Sequence, residues 1–368
     1  MDSMADAPDP STTATVRAFE SSDLSGAATL FLRQLGGPGL VTIADARDFL
    51  QRTLLDDPWA DPEIPSLVSQ APDGRIVGFI GASVRRIRVD GAPRRAAYAS
   101  HLVAAPDYPN RTIGLFLLRA FLRGAQDVSL SDTATPQVRT IWTTLGGVPI
   151  HHLSTAWLRV LRPTATASAV VRHRGGRMET VARGLDLVRP LTDRVARKLV
   201  PDPSLATDSL LEGTELTPAL AVESLESLTA GCRVIPNYDE GYLTWLYRAL
   251  RTPSPRGRVE LRLVRARGAA IGMYAYYLQP GDVCRVLQVV CRERHAEAVI
   301  GDLHRHAYER GGAALYGRIE PHIHEAIARR GALVRTAPRA LVHTRDEACI
   351  DALQHGRSAL SWLDGEWW

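Results

Sequence analysis

The chain has 368 residues, 45% of them hydrophobic and 23% charged, with a formal net charge of +4. That length exceeds what one hydrophobic core usually serves, so two domains are expected. No apolar run approaches the roughly 20 residues of a membrane span. Lys198 is the only lysine among 44 basic residues, so the arginine bias runs through the whole chain and does not mark a nucleic-acid face. No long basic run with interleaved aromatics appears either, which speaks against nucleic acid as a partner.

The N-terminal stretch "MDSMADAPDPSTTAT" is acidic and rich in small residues, and residues 1–15 are expected to be a disordered tail. It lacks the basic start and apolar stretch of a secretory signal. A first unit is expected over 16–161. "ATVRAFESSDLSGAATLFLRQL" opens as a short strand, Ser21, Ser22 and Asp23 offer N-caps, and a helix follows. "TIADARDFLQRTLL" reads as a second helix. "SLVSQAPDGRIVGFIGASVRRIRVDGAPRRAAYASHLVAA" reads as three strands, turning at Asp73-Gly74 and Asp90-Gly91. "RTIGLFLLRAFLRG" has helical apolar spacing, "DVSLSD" reads as a strand, and "TPQVRTIWTTLGG" as a helix stopped by glycine. His151 and His152 are expected to begin the last strand of this unit.

Residues 162–214 read as a helical linker, and 215–368 as a second unit. There "VELRLVRARGAAIGMYAYYL" forms a hairpin turning near Arg267-Gly268, and "DVCRVLQVVC" a strand. "HAEAVIGDLHRHAYERG" comes next as a helix, "AALYGRI" as a strand, "PHIHEAIARRGAL" as a helix with a glycine stop, and "LVHTRD" as a late strand. The order of elements repeats that of the first unit. "RIVGFIGA" aligns with "AAIGMYAY", setting Gly78 opposite Gly272. "TIWTTLGG" aligns with "AIARRGAL", setting Gly146 opposite Gly331. The two offsets agree within about ten residues, as two copies with loop differences would. The four cysteines (Cys232, Cys284, Cys291 and Cys349) form no CxxC pair and read as reduced core thiols of a cytoplasmic protein. His304, His306, His322 and His324 do not have the spacing of a metal site, and no metal is expected.

"PDYPNRTIGLFLL", Pro106 to Leu118, follows an apolar strand and opens a helix. A strand that runs straight into a helix points uncommitted backbone N–H groups beyond the helix end, which is an anion site by geometry. With Leu102, Pro106, Asp107, Tyr108, Ile113, Gly114, Leu117 and Leu118 in gapless register, the first unit resembles the GNAT acetyltransferase superfamily, over about 17 residues of motif and about 145 residues of element order. The second unit shares the order but not the motif, so the chain resembles a tandem of two such units, the second degenerate. The resemblance implies an α/β fold of two domains, each a twisted mixed β-sheet flanked by helices.

The resemblance implies acetyl-CoA or another acyl-CoA as donor. Its pyrophosphate would lie on Asn110, Arg111, Thr112, Ile113 and Gly114, and its pantetheine arm along the backbone of Leu102, Val103 and Ala104. The family's glycine-rich loop falls on Pro109, Thr112 and Gly114, keeping only the last glycine; a rival register starts it at Arg111 and takes Gly114 as the first glycine. Glycine allows close approach of backbone to phosphate, and Thr112 and Arg111 offer a hydroxyl and a charge in its place. The other reading of the loop is a turn that caps the helix. The tyrosine that the family uses to protonate the leaving thiolate is replaced by Trp142, whose N–H is not acidic enough; Trp142 reads as a wall beside the cofactor or a packing residue. His101 and Asp132 are the candidates for the base that deprotonates the acceptor amine. The alternative for His101 is a hydrogen-bonded core histidine, and for Asp132 an N-cap.

Three functions are consistent with these residues. The first is an acyl-CoA-dependent N-acyltransferase acting on an amine of a small molecule or peptide. The second is an aminoacyl- or polysaccharide-related transferase of the paired GNAT-like type, and the third a catalytically inactive binding or regulatory protein. The tryptophans of "SALSWLDGEWW" are expected to pack onto a domain or the domain interface, with a partner-binding motif as the alternative.

Overall fold

The computed structural model describes residues 14–35, 42–108, 112–174, 211–252, 255–336 and 339–365. The expected tail up to residue 13 and most of the expected linker, 175–210, lie outside them.

Strand β1 (Thr15–Ala18) leads through a 3-10 turn at Ser21–Asp23 into helix α1 (Leu24–Leu35). The cap is Glu20 rather than a serine: its N–H donates to the Asp23 carboxylate at 3.0 Å, and Arg17 clamps that carboxylate from the other side at 2.7 and 2.8 Å. Helix α2 (Ile43–Leu50) is capped by Thr42. The meander β2 (Leu67–Gln70), β3 (Ile76–Val89) and β4 (Ala92–Ala104) turns at Asp90-Gly91, both at positive φ (49° and 81°). That geometry matches the twist of the strands it joins. Then come α3 (Ile113–Leu122), β5 (Val128–Ser131), α4 (Pro136–Thr144), β6 (Val148–Pro149), β7 (Thr155–Val160) and α5 (Pro163–Arg174).

The second half opens with β8 (Leu211–Glu215), α6 (Pro218–Leu228), the three-residue β9 (Val234–Pro236) and α7 (Glu240–Leu250). Its meander is β10 (Arg258–Ala266), β11 (Ala269–Leu278) and β12 (Val283–Cys291). It ends with α8 (Ala296–Glu309), β13 (Ala314–Arg318), α9 (His324–Arg329), β14 (Leu333–Thr336), β15 (Leu341–Thr344) and α10 (Glu347–Gln354).

One sheet runs β1-β2-β3-β4-β5-β15-β6 and the other β8-β10-β11-β12-β13-β7-β14. Position for position the two orders are the same. The sixth place in each sheet is filled from the other half of the sequence. β15 pairs antiparallel with β5 (Leu341 opposite Ser131), and β7 pairs antiparallel with β13 (Leu315 opposite Arg159). The compact units therefore interleave along the chain: one is Met1–Pro149 with Arg339–Ile350, the other Ile150–Pro338 with Asp351–Trp368. They differ from the linear segments 16–161 and 215–368, because the open edges of β5 and β13 must each be paired and the strand that pairs each edge comes from a distant segment. α5, in the expected linker, belongs with the second unit; there Thr166 Oγ1 donates to Ala313 O at 2.9 Å and the Arg162 guanidinium stacks on Tyr308.

The aligned glycines do the same work in both units. A Cβ on Gly78 would lie 2.4 Å from Ile113 of α3, and one on Gly272 would lie 2.4 Å from Val299 of α8. Each lets a helix rest directly on its sheet. Gly146 and Gly331 each stop a helix at positive φ (95° and 67°), where a side chain would be strained.

Candidate functional site

In the first unit β4 and β5 run parallel only from Ala96–Val128 to Tyr98–Leu130. β4 continues to Ala104, while β5 ends at Ser131, so the strands part and leave a wedge. Where they part, β4 carries a bulge: Ser100 faces Gly81 and Val103 faces Phe79, so two residues of β4 stand against one of β3. His101, inside the bulge, has φ of 56°, uncommon for a residue with a side chain.

The extra residue shifts the alternation of side chains. His101 stacks on Phe31 of α1 and Phe49 of α2, with ring centroids 5.0 and 5.4 Å away. Leu102 and Ala104 turn to the opposite face, toward the core under α3, while Val103 is buried on the α1–α2 side. The Ala104 carbonyl accepts from the Gln34 side chain.

The chain turns after Ala105, whose carbonyl accepts from Tyr108 N at 3.3 Å, and α3 begins at Ile113. Thr112 is its N-cap residue and makes no side-chain cap bond there. Phe116 N donates to Thr112 O at 3.0 Å, and the N–H groups of Ile113 and Gly114 precede that bond, at the positive end of the helix. Ile113's side chain is buried, so it has only its backbone to offer. A Cβ on Gly114 would meet nothing within 4 Å. Asn110 and Arg111 lie outside the described residues.

Asp132 directly follows β5 and is half-buried. It does not cap α4: Thr135 does, its hydroxyl accepting from Val138 N at 3.3 Å. The structure therefore sets His101 on one of the two strands that part and Asp132 directly after the other. It treats Trp142 differently. The indole is wholly buried in the core, and its Nε1 has no hydrogen-bond partner among the described residues. Gly147 is held bare by it, since a Cβ there would come within 3.0 Å of the ring. Trp142 therefore has no surface to form a cofactor wall; it packs, because Gly147 and the surrounding apolar residues close over it.

The second unit has the same wedge. β12 and β13 run parallel only from Val283–Ala314 to Arg285–Tyr316, and a bulge follows at Leu287. Here the chain's own C-terminal segment lies in the gap. Leu363 N donates to Leu287 O at 3.1 Å, and Gln288 Nε2 donates to Ser361 Oγ at 3.1 Å. Asp364 is buried, accepting from Ser361 N at 2.7 Å and from the Tyr238 hydroxyl. The Arg318 guanidinium donates to Leu360 O. Trp362 packs on Tyr316 at 5.4 Å; Trp367 and Trp368 lie outside the described residues. Burial and the neighbouring Asp364 push the Tyr238 phenol far above its usual range. No motif in "SALSWLDG" announces this role; the density of large apolar residues near a terminus is the only signal.

His306 is buried beside this sheet, bonded to the Tyr276 hydroxyl at 2.9 Å while its Nε2 accepts from Arg310 Nε at 2.9 Å. Among the described residues no group of three His, Cys, Asp or Glu side chains could hold a metal ion, and no helix is long and apolar enough to cross a membrane.

No protein-family model matches the sequence, and no curated protein matches it. Solved structures do match the fold. A probable N-acyltransferase of Enterococcus faecalis superposes with a TM-score of 0.58 at 9% identity, over 90% of this chain and 73% of that one. A GCN5-related N-acetyltransferase of Anabaena variabilis gives 0.56 at 10% identity, over 89% and 72%. The Saccharomyces cerevisiae N-myristoyltransferase, solved with bound myristoyl-CoA, gives 0.53 at 11% identity, over 92% and 84%. At these identities the likeness establishes the fold: the chain shares the architecture of these N-acyltransferases, with two mixed sheets flanked by helices.

Proposed function

We propose that the chain is an acyl-CoA-dependent N-acyltransferase whose first unit holds the donor. The observation that carries this reading is the wedge: β4 leaves β5 at Tyr98, bulges at His101, and is followed by helix α3, whose N-terminal turn begins at Thr112 and Ile113. The edge of β4 at Leu102 and Val103 suits an extended arm that pairs like a strand, while at Ala104, whose carbonyl takes the Gln34 amide, the arm has the N–H to meet. The start of α3, at Thr112, Ile113 and Gly114, suits a pyrophosphate, with Asn110 and Arg111 proposed beside it.

In the reaction the acceptor amine's lone pair attacks the thioester carbonyl carbon, the C–S bond breaks, and the thiolate leaves. A backbone N–H of β4 would polarise the carbonyl. His101, held by Phe31 and Phe49, takes the amine proton, and Asp132 is the second candidate. Trp142 is buried and not acidic, so the thiolate takes its proton from another group or from water. The acceptor is an amine of a small molecule or peptide. The neighbours include both acetyltransferases and an N-myristoyltransferase, so acetyl and long-chain donors are both to be tried.

Calorimetry with acetyl-CoA and with myristoyl-CoA tests the reading. A side chain at Gly114 has open space, so Gly114→Trp folds but stands over the helix start. Binding of one donor by the wild type, weakened at least tenfold in the variant, is expected. Failure to bind either donor, or equal binding by the variant, overturns the proposal.

A further inference from the structure

The other end of α3 borders a cavity of about 970 Å³. All its lining residues belong to the first unit. Four guanidiniums face it: Arg94 of β4, Arg119 and Arg123 at the end of α3, and Arg345 just after β15. Two carboxylates also line it, and both are already committed. Asp127 accepts from Arg95 N at 2.7 Å; Asp346 accepts from Cys349 N at 3.1 Å and lies 3.4 Å from Arg94 Nε. Two carbonyls at the helix end and one just beyond it are committed as well. Ala120 O takes Arg123 N, Phe121 O takes Gly124 N and the Gln126 amide, and Ala125 O takes the Arg95 guanidinium.

That leaves the exposed guanidiniums of Arg119, Arg123 and Arg345 with no side-chain hydrogen bond or ion pair among the described residues. Arg119 and Arg123 are one turn apart on the same helix face, where like charges repel. The helix dipole favours cations at this end, but it gives no reason for a third guanidinium to be brought to the same cavity by a different element. His343, also in the lining, is held below its usual range by burial and by Arg345, and so adds a neutral ring.

We infer that this cavity is a binding site for a polyphosphate group, carried by a nucleotide or free. Guanidinium forks match phosphate oxygens two at a time, and three unpaired forks around one cavity fit a ligand with several phosphoryl groups. A ten-residue helix is about 15 Å long, so this site lies at the far end of α3 from the proposed donor pyrophosphate and is distinct from it.

Calorimetry with inorganic tripolyphosphate and with ATP, at low salt, tests the inference. One equivalent should bind the wild type, more weakly as salt is raised. Tighter binding of ATP assigns the site to a nucleotide; equal binding assigns it to the phosphate chain alone. The triple variant Arg119→Gln, Arg123→Gln, Arg345→Gln should lose at least tenfold in affinity. Arg75→Gln, at an exposed arginine paired with Asp73, should lose nothing, and Gly114→Trp should bind as the wild type does. Unchanged affinity in the triple variant overturns the inference, as does loss of binding in Gly114→Trp.

Discussion

Replacing Gly78 by alanine places a methyl group 2.4 Å from Ile113 Cγ2, 2.8 Å from Leu117 Cδ1 and 3.2 Å from Ser69 Cβ. Ile113 and Leu117 are buried side chains of α3, with no room to swing away. Overpacking of this kind costs about 1–3 kcal/mol, and the stiffer unfolded chain returns about 0.4–1 kcal/mol. The midpoints leave a net loss of about 1.3 kcal/mol, or about 3–5 °C in Tm for a unit of this size. Relief comes from lifting α3 off β3, and that moves the N–H groups of Ile113 and Gly114. Gly78→Ala should therefore also weaken acyl-CoA binding. Gly272→Ala is the matched control, because its Cβ would lie 2.4 Å from Val299 Cγ2 and lift α8 in the same way. It should lower Tm by a similar amount and leave acyl-CoA affinity alone, since the wedge beside α8 already holds the C-terminal segment. Scanning calorimetry gives the stability of each variant and titration calorimetry the affinity. An unchanged Tm in Gly78→Ala refutes the packing account, and equal affinity losses in the two variants refute the assignment of the donor to the first unit.

Leu363→Ala should cost about 2–5 kcal/mol in the second unit, as removal of a buried leucine does; a Tm shift below about 1 °C would count against the segment being docked. The wild type should bind one acyl-CoA per chain, not two. Burial, reinforced by Arg262 and Arg310, lowers the His306 pKa to about 4. Its contribution to stability is thus present above the unfolded value near 6.5 and is lost as pH falls from there toward 4. Denaturant titrations across that range should show His306→Gln falling less steeply than wild type, by up to about 1.4 kcal/mol per pH unit; parallel curves would refute this.

Local structure is legible in the sequence, because local signals carry it. Asp90-Gly91 and Gly268 turn at positive φ as their residue types predict, and the helices at Ile113 and Ala296 begin and end near their expected limits. The partners of β7 and β15 are not legible. "TAWLRV" and "LVHTRD" are strand-like wherever they pair, and nothing within six residues encodes which edge they meet. The cap at α1 falls on Glu20 and not on a serine because the Asp23 carboxylate, held by Arg17, reaches back to Glu20 N. The His101 bulge leaves no mark either, since its positive φ is imposed by the pairing of β4 with β3 on both sides of it. Trp142 aligns with a catalytic position, and only its burial shows that the indole packs.

The two units allow a comparison inside one chain. They share strand order, a parting of the fourth and fifth strands, a bulge at the parting and a glycine under the following helix. They differ in the connection after the fourth strand and in the group that meets its free edge. In the first unit a loop of several residues separates Ala104 from α3; in the second, β12 passes at Cys291 almost directly into the 3-10 turn Glu293–His295. A helix that lies on a sheet needs the same bare spot whether or not a ligand binds, so Gly78 and Gly272 answer to packing alone. A polar strand edge needs a partner. In the second unit Leu363 supplies its N–H to the Leu287 carbonyl, and a buried set of Tyr238, Gln288, Ser361 and Asp364 fixes it there. The same edge in the first unit is the one for which an acyl-CoA arm is proposed. On the proposed assignment the segment 358–365 occupies in the second unit the edge that the donor arm would take in the first, and this is the reason for assigning the donor to one wedge of the two.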